Sequence, residues 1–235
     1  MKTAGGDAAA KRRAGERAAE EVEDGTVVGL GTGSTAAYAI EAIGDAVADG
    51  LEIRAIPTSF QSRQLALEVG IPLTTLDAVD RVDLAIDGAD QVVDDPDATA
   101  HGTLIKGGGA AHSREKLVDA AADRFVVVAD PSKLTARLDR SVPLEVLPDA
   151  RTVAADRARV LGGEPTLRAA ERKDGPVVTD NGNLVLDCDF GAIESPADLA
   201  RDLSAIPGVL EHGLFVGLAD ATYVGTDDGV EIRAY

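Results

Sequence analysis

The stretch Thr26-Val27-Val28-Gly29-Leu30-Gly31-Thr32-Gly33-Ser34-Thr35-Ala36 decides how the rest of the chain is read. It opens on a short apolar run, passes through a glycine-punctuated turn, and leads into Ala36, Ile40, Ile43 and Val47 at helical spacing. That is a strand, a tight turn and a helix N-terminus. Exposed backbone N–H groups and the positive end of the helix dipole suit an anion such as a phosphate there. Ser34 and Thr35 add hydroxyl donors. The turn is not a Walker A loop, because no Gly-Lys-Ser/Thr follows, and it is not a full dinucleotide fingerprint, because Ala36 stands where the third glycine belongs. The plain alternative is a tight turn with an N-cap.

The same alternation runs outward on both sides. Residues 7–22 read as a helix with Asp7 as N-cap, ended by Gly25. Leu51–Ile56 reads as a strand, Ser59–Val69 as a helix closed by Gly70, and Val82–Ile86 as a strand running into Asp87-Gly88-Ala89-Asp90. Leu104-Ile105 leads into Lys106-Gly107-Gly108-Gly109, then Ser113–Ala122 is helical and Phe125–Ala129 is a strand. Strands alternating with helices predict a parallel sheet with helices on both faces. The pattern changes near Ser141–Pro148, where two prolines bracket a short strand. A helix over Ala150–Leu161 follows. Val177-Val178 and Leu184–Leu186 flank Thr179-Asp180-Asn181-Gly182-Asn183, an Asn-Gly hairpin signal. Ser195 and Pro196 open a last helix, which Pro207-Gly208 closes. The expectation is an α/β parallel-sheet domain followed by a smaller α+β domain.

Composition bounds the function. The 235 residues are 45% hydrophobic, enough for a sizeable core and against a disordered chain. No apolar run approaches the roughly 18 residues of a membrane span, and Met1–Arg13 has no apolar segment of a secretory leader. One cysteine, Cys188, excludes an intrachain disulfide and a cysteine-based metal cluster, and points to a reducing cytoplasm. Cys188 sits in an alternating strand and reads as core. The formal net charge of −18 excludes attraction to nucleic acid through a basic footprint. Only six of the 23 basic residues are lysine. Few lysines among abundant Asp and Glu suggest a salty cytoplasm. The plain alternative is an acidic, soluble protein.

Three groups of residues carry chemistry. Asp87 and Asp90, just past an apolar strand, place two carboxylates where open α/β sheets bind ligands. An acidic turn is the plain alternative. Lys106-Gly107-Gly108-Gly109 lets backbone approach a ligand closely beside one of the few lysines. Glu115, on the opening turn of a helix, is a candidate general base, or a carboxylate that satisfies the helix dipole. His101, His112 and His212 show no metal-ligand spacing; His112 reads equally as lining the site or standing on the surface.

Taken in order, the segments resemble ribose-5-phosphate isomerase of the A type. The matches are Val28–Ala36, Asp87-Gly88-Ala89-Asp90, Lys106-Gly107-Gly108-Gly109-Ala110-Ala111 with Arg114-Glu115-Lys116, Ala129-Asp130-Pro131-Ser132-Lys133, Val177–Asn183, Ile206–Val209 and Gly225-Thr226. Each motif alone is weak, whereas the ordered set is specific and covers nearly the whole chain. The resemblance implies interconversion of ribose 5-phosphate and ribulose 5-phosphate through an enediolate, with no metal or organic cofactor and a small sugar phosphate as partner. It implies Glu115 as the base, Lys106 and the Gly107–Gly109 amides as donors to the developing oxyanion, Asp87 in ring opening, and Asp90 as orienting partner to Lys106. Thr32, Gly33, Ser34, Thr35 and Lys133, with Lys11 on weaker alignment, match its phosphate contacts; Gly88 and Ala89 complete the Asp87–Asp90 match. It further implies a Rossmann-like domain over 1–143 and 222–235, a small α+β domain over 144–221, and a homodimer or homotetramer.

The chain departs from the family at Gln91, where glutamate is usual, and in the acidic connection Asp94-Asp95-Pro96-Asp97. Two other readings compete. A sugar-phosphate-sensing regulator domain needs a DNA-binding segment, yet only about 25 residues precede the first strand. An amino-sugar phosphate deaminase or acyl-CoA transferase leaves Asp87, Asp90, Lys106 and Glu115 unexplained as a set.

Overall fold

The computed structural model describes residues 6–94, 101–172 and 174–235. The connection over Asp95, Pro96 and Asp97 therefore lies outside the described residues. The chain folds as two compact units. One comprises Thr3–Ala89, Arg114–Leu134 and Gly217–Tyr235; the other comprises Asp90–Ser113 and Thr135–Val216, with Met1–Lys2. Their edges differ from 143/144 and 221/222. Gln91–Val93 and Leu104–Ile105 belong to a separate small sheet, a long-range pairing that local pattern does not reveal.

The first unit is built on a six-stranded sheet. β1 (Val27–Leu30), β2 (Arg54–Pro57), β3 (Leu84–Gly88) and β6 (Phe125–Ala129) are parallel, in the order β6-β3-β1-β2. β13 (Ala221–Thr226) adds parallel to β6, and β14 (Gly229–Ala234) closes that edge antiparallel. α1 (Ala8–Ala19), α2 (Ser34–Ala48), α3 (Phe60–Glu68) and α4 (His112–Ala121) connect or cover these strands; α4 begins in the second unit and continues in this one. Two of the helix starts have a side-chain cap. The Asp7 carboxylate accepts from the amides of Ala9 and Ala10, and Ser59 and Ser62 form a reciprocal capping box. Residues 51–53 precede β2 rather than belonging to it; the Glu52 carbonyl instead accepts from Gly25 N–H at 2.7 Å. One core runs through Val28, Leu30, Ile40, Ile43, Ile86, Val126, Val128 and Tyr223. A second cluster, Val27, Ile56, Val82 and Val118, lies under α4. A Cβ at Gly29 would stand 2.6 Å from Val118 Cγ1, so that glycine sets how closely α4 approaches β1.

The chain runs from β1 to β2 on one side and returns to β3 on the other. The carboxyl ends of β1 and β3 thus form the switch point at which open α/β sheets bind ligands. The glycine turn follows β1. Asp87 and Gly88 lie within β3 and not beyond it, because both pair with β6.

The second unit has a four-stranded antiparallel sheet, β11 (Val209–His212), β8 (Val142–Val146), β10 (Leu184–Asp189) and β9 (Glu164–Leu167). α5 (Arg151–Val160) and α6 (Pro196–Ser204) share a core with Leu144, Val146, Leu186 and Cys188. Pro143 lies inside β8 rather than at its border. The hairpin at 179–183 forms, but its first arm is a single bridge from Val178 to Leu184. Ser195 stands at the N-cap of α6 without a side-chain cap bond. A small sheet orders β12 (Leu214–Phe215), β5 (Leu104–Ile105), β4 (Gln91–Val93) and β7 (Leu134–Thr135). Among the described residues no helix is long and apolar enough to cross a membrane.

Candidate active site

In the parallel-sheet unit the glycine turn and Asp87 form one structure. The fully buried Asp87 carboxylate accepts from Thr32 N–H at 2.9 Å and from Gly88 N–H at 2.6 Å through Oδ1. A Cβ at Gly31 would fall 2.1 Å from that oxygen, so the loop approaches the carboxylate only because residue 31 has no side chain. Thr32 Oγ1 is hydrogen-bonded to Ser59 Oγ at 2.7 Å and lies 2.9 Å from Thr58 Oγ1, which ties the turn to the end of β2. The N-cap of α2 is Gly33 at φ +121°, and no side chain caps this helix. The first-turn amides therefore face outward, as an anion site requires. Thr35 is buried and Ser34 is exposed.

Glu115 sits on the first turn of α4 and is 4% exposed. It shares the inward face of the helix with Val118 at i, i+3 spacing. Lys133 is buried in a 3-10 turn after β6, where the Asp130 carboxylate accepts from Ser132 N–H. Lys11 is buried on α1. A Cβ at Gly6 would meet Asp130 Oδ2 at 2.3 Å, so the approach to α1 rests against the turn that carries Lys133.

In the second unit, Lys106 is 2% exposed. Its N–H donates to Gly213 O at 2.9 Å, and its Nζ lies 5.5 Å from the centre of the Phe215 ring. The loop after it is shaped by close approaches. Gly107 takes φ +101°, and a Cβ there would stand 2.7 Å from His112 Nδ1. His112 is thus buried beneath the loop and not on the surface. Gly108 N–H donates to Asp90 Oδ2 at 2.6 Å, and a Cβ at Gly108 would strike the same carboxylate. Ala110, at φ +60°, closes the turn by donating to Gly107 O. The direct contacts thus join Thr32 to Asp87 in one unit and Asp90 to Gly108 in the other.

Gln91 is buried and has a defined task. Its Nε2 donates to Asp139 Oδ1, and its Oε1 accepts from the amides of Asp139 and Arg140. A glutamate could accept those amides but could not donate to Asp139.

Two further groups escaped the sequence reading. Glu145 is fully buried in β8 and is surrounded by donors: Thr179 Oγ1 at 2.7 Å, Asn183 Nδ2 at 2.9 Å, Asn181 Nδ2 at 3.0 Å, and Ser113 Oγ. Burial pushes its carboxyl up, but these four hydrogen bonds outweigh burial and hold it below the ordinary range. A charge within an apolar strand was the available signal. The other is Arg168, just after β9, which pairs with Asp187 and donates to the carbonyls of Gly107 and Gly108. Nothing local in the sequence marks it. Among the described residues no group of three or more His, Cys, Asp or Glu side chains is arranged to hold a metal ion.

The family model for ribose 5-phosphate isomerase A (phosphoriboisomerase A) matches residues 54–229. The chain is 67% identical over 233 residues to ribose-5-phosphate isomerase A of Natronomonas pharaonis, covering 99% of this chain and 100% of that one. It is 68% identical over 229 residues to the protein of that name from Haloarcula marismortui, covering 97% of each. Among solved structures, ribose 5-phosphate isomerase A of Methanocaldococcus jannaschii superposes with a TM-score of 0.90 at 42% identity, covering 96% of this chain and 98% of that one. A D-ribose-5-phosphate isomerase in complex with phospho-erythronic acid superposes equally well at 41% identity, covering 96% and 97%. The chain belongs to the ribose-5-phosphate isomerase A family.

Proposed function

We propose that this chain interconverts ribose 5-phosphate and ribulose 5-phosphate, with Glu115 as the base. In this reading the Glu115 carboxylate takes the C2 proton of the open-chain aldose and returns it at C1, while a proton passes from O2 to O1. The intermediate is an enediolate, whose negative charge needs fixed donors. Lys106 and the amides of Gly107 and Gly109 supply them, at roughly 3–4 kcal/mol for a well-placed donor, the Gly108 N–H being taken by Asp90. Asp87 moves a proton in opening the furanose ring, and Asp90 orients the donor loop. The phosphate is held by the Thr32-Gly33-Ser34-Thr35 turn with Lys133 and Lys11; Gly88 and Ala89 line the sugar. Positive charge at Lys133 and Lys11 answers the objection that a chain of net charge −18 repels a phosphate dianion.

The observation that carries this reading is the buried carboxylate of Glu115 on the inward face of α4, within a chain whose whole length matches the family. The chemistry uses side chains and amides alone, with no metal or organic cofactor. The protein acts in the cytoplasm as a homodimer or homotetramer.

Formation of ribulose 5-phosphate by the purified protein in molar KCl with EDTA tests the activity. Glu115→Gln is expected to keep ribose 5-phosphate binding and to lose about 10²–10⁴-fold in kcat. Near-normal turnover by that variant removes Glu115 as the base.

A further inference from the structure

Most arginines whose ion pairs are defined lie on the surface; Arg81, Arg159 and Arg201 have side chains 57–67% exposed. Arg168 differs, with a side chain only 9% exposed. It follows β9 directly, and its N–H donates to Val185 O across the sheet. Asp187 lies two residues further along β10, on the same face as Val185, so the two side chains form a diagonal cross-strand pair. Nε donates to Asp187 Oδ2 at 2.8 Å, and Nη2 donates to Oδ1. The remaining nitrogen, Nη1, donates to Gly107 O at 2.9 Å and to Gly108 O at 3.3 Å. All three guanidinium nitrogens thus donate, an arrangement that a lysine ammonium cannot reproduce.

These contacts fix two successive peptide planes. In a trans peptide the N–H points opposite to the C=O of the same plane. The Gly107–Gly108 plane is held from both sides, its carbonyl by Arg168 and its N–H by Asp90. The Gly108–Gly109 plane is held by its carbonyl, which turns the Gly109 N–H away from the guanidinium. Gly109 itself is exposed. Left to itself a run of three glycines samples many backbone states. Drawing both carbonyls toward a buried cation also keeps their negative ends away from a developing anion.

We propose that Arg168, oriented by Asp187, is a positioning residue for the isomerisation: it holds the Gly107 and Gly108 carbonyls so that the loop amides are preset to receive the oxyanion. This rests on the role given above to the glycine loop. The effect belongs to the transition state more than to substrate binding, and so appears in kcat.

The test compares wild type, Arg168→Met, Arg168→Lys and Asp187→Asn in molar KCl, with circular dichroism and melting temperature recorded for each. Ribose 5-phosphate turnover and inhibition by phospho-erythronic acid, whose carboxylate sets two oxygens and a negative charge on one trigonal carbon, are the readouts. Arg168→Met is expected to lose about 10²-fold in kcat, as for a misplaced catalytic group, with KM nearly unchanged and inhibition weakened in parallel. Arg168→Lys, which keeps the charge but spans fewer acceptors, is expected to fall between it and wild type. Guanidinium chloride below its denaturing range is expected to restore part of the Arg168→Met rate. A folded Arg168→Lys or Arg168→Met with wild-type kcat and only a lower melting temperature overturns the proposal, as does a loss confined to KM. An inactive wild type overturns the isomerase reading itself, and this one with it.

Discussion

Asp87 shows how much at the candidate site depends on the absence of a single atom. Its Oδ1 gathers the Thr32 and Gly88 amides at 2.9 and 2.6 Å, and the space it needs is the space that a Gly31 side chain would fill. Gly31→Ala is therefore expected to displace the carboxylate or the turn and to cost about 10²-fold in kcat/KM, with the melting temperature much less affected. Steady-state assays beside a thermal melt check this; a fully active Gly31→Ala enzyme would show that the Asp87 contact is dispensable. Gly33 differs. A Cβ there meets open space, but φ +121° disfavours any L side chain, so its constraint is the backbone and not a neighbour. Sequence alone marked both glycines as parts of a turn; only the folded structure tells which kind of constraint each one answers.

At the scale of elements, β8 carries two different surfaces. Leu144 and Val146 face the core under α5 and α6, while Glu145 between them faces Ser113, Thr179, Asn181 and Asn183. The same carboxylate thus anchors the Asn-Gly hairpin and the first turn of α4, two residues before Glu115. Its folded-state pKa is held below the unfolded value, so the stabilisation is present above the unfolded pKa, near 4.5, and is lost as pH falls through the folded value. Glu145→Gln is expected to lower stability by about 1–3 kcal/mol near neutral pH, because an amide N–H₂ is turned toward donors. It is also expected to flatten the loss of stability with acid below 4.5. Denaturant titrations of both proteins across that range measure it; an unchanged pH slope would assign the acid sensitivity to other groups. The hairpin turn was legible from Asn181-Gly182, since Gly182 takes φ +83°. The carboxylate it encloses was not, because Glu145 and Asn183 lie 38 residues apart.

For the whole molecule, 41 acidic against 23 basic residues give a formal net charge of −18. Self-repulsion opposes a compact state, and at about 1 M salt the Debye length of about 3 Å screens it. Cys188 provides an internal reporter. Burial, followed by the neighbouring Asp187 charge, pushes its thiol up to about 12. In molar KCl it is expected to resist a thiol reagent at neutral pH, and on removal of salt to react together with loss of the circular-dichroism signal. A thiol that stays protected in a fully folded, salt-free protein would remove the salt requirement. The sequence by itself determined the alternating α/β architecture, the switch-point turn, the order of the motifs and thereby the family, since strand and helix periodicity and turn chemistry act over a few residues. Tertiary structure alone decided that Asp87 lies inside β3, that β4 and β5 join a different sheet, that His112 lies beneath the glycine loop, and that Arg168 and Glu145 support the elements carrying the candidate residues. Apart from His112, which lies within five residues of Gly107, these are contacts between segments far apart in the chain, where register and close approach, and not local preference, choose the partner.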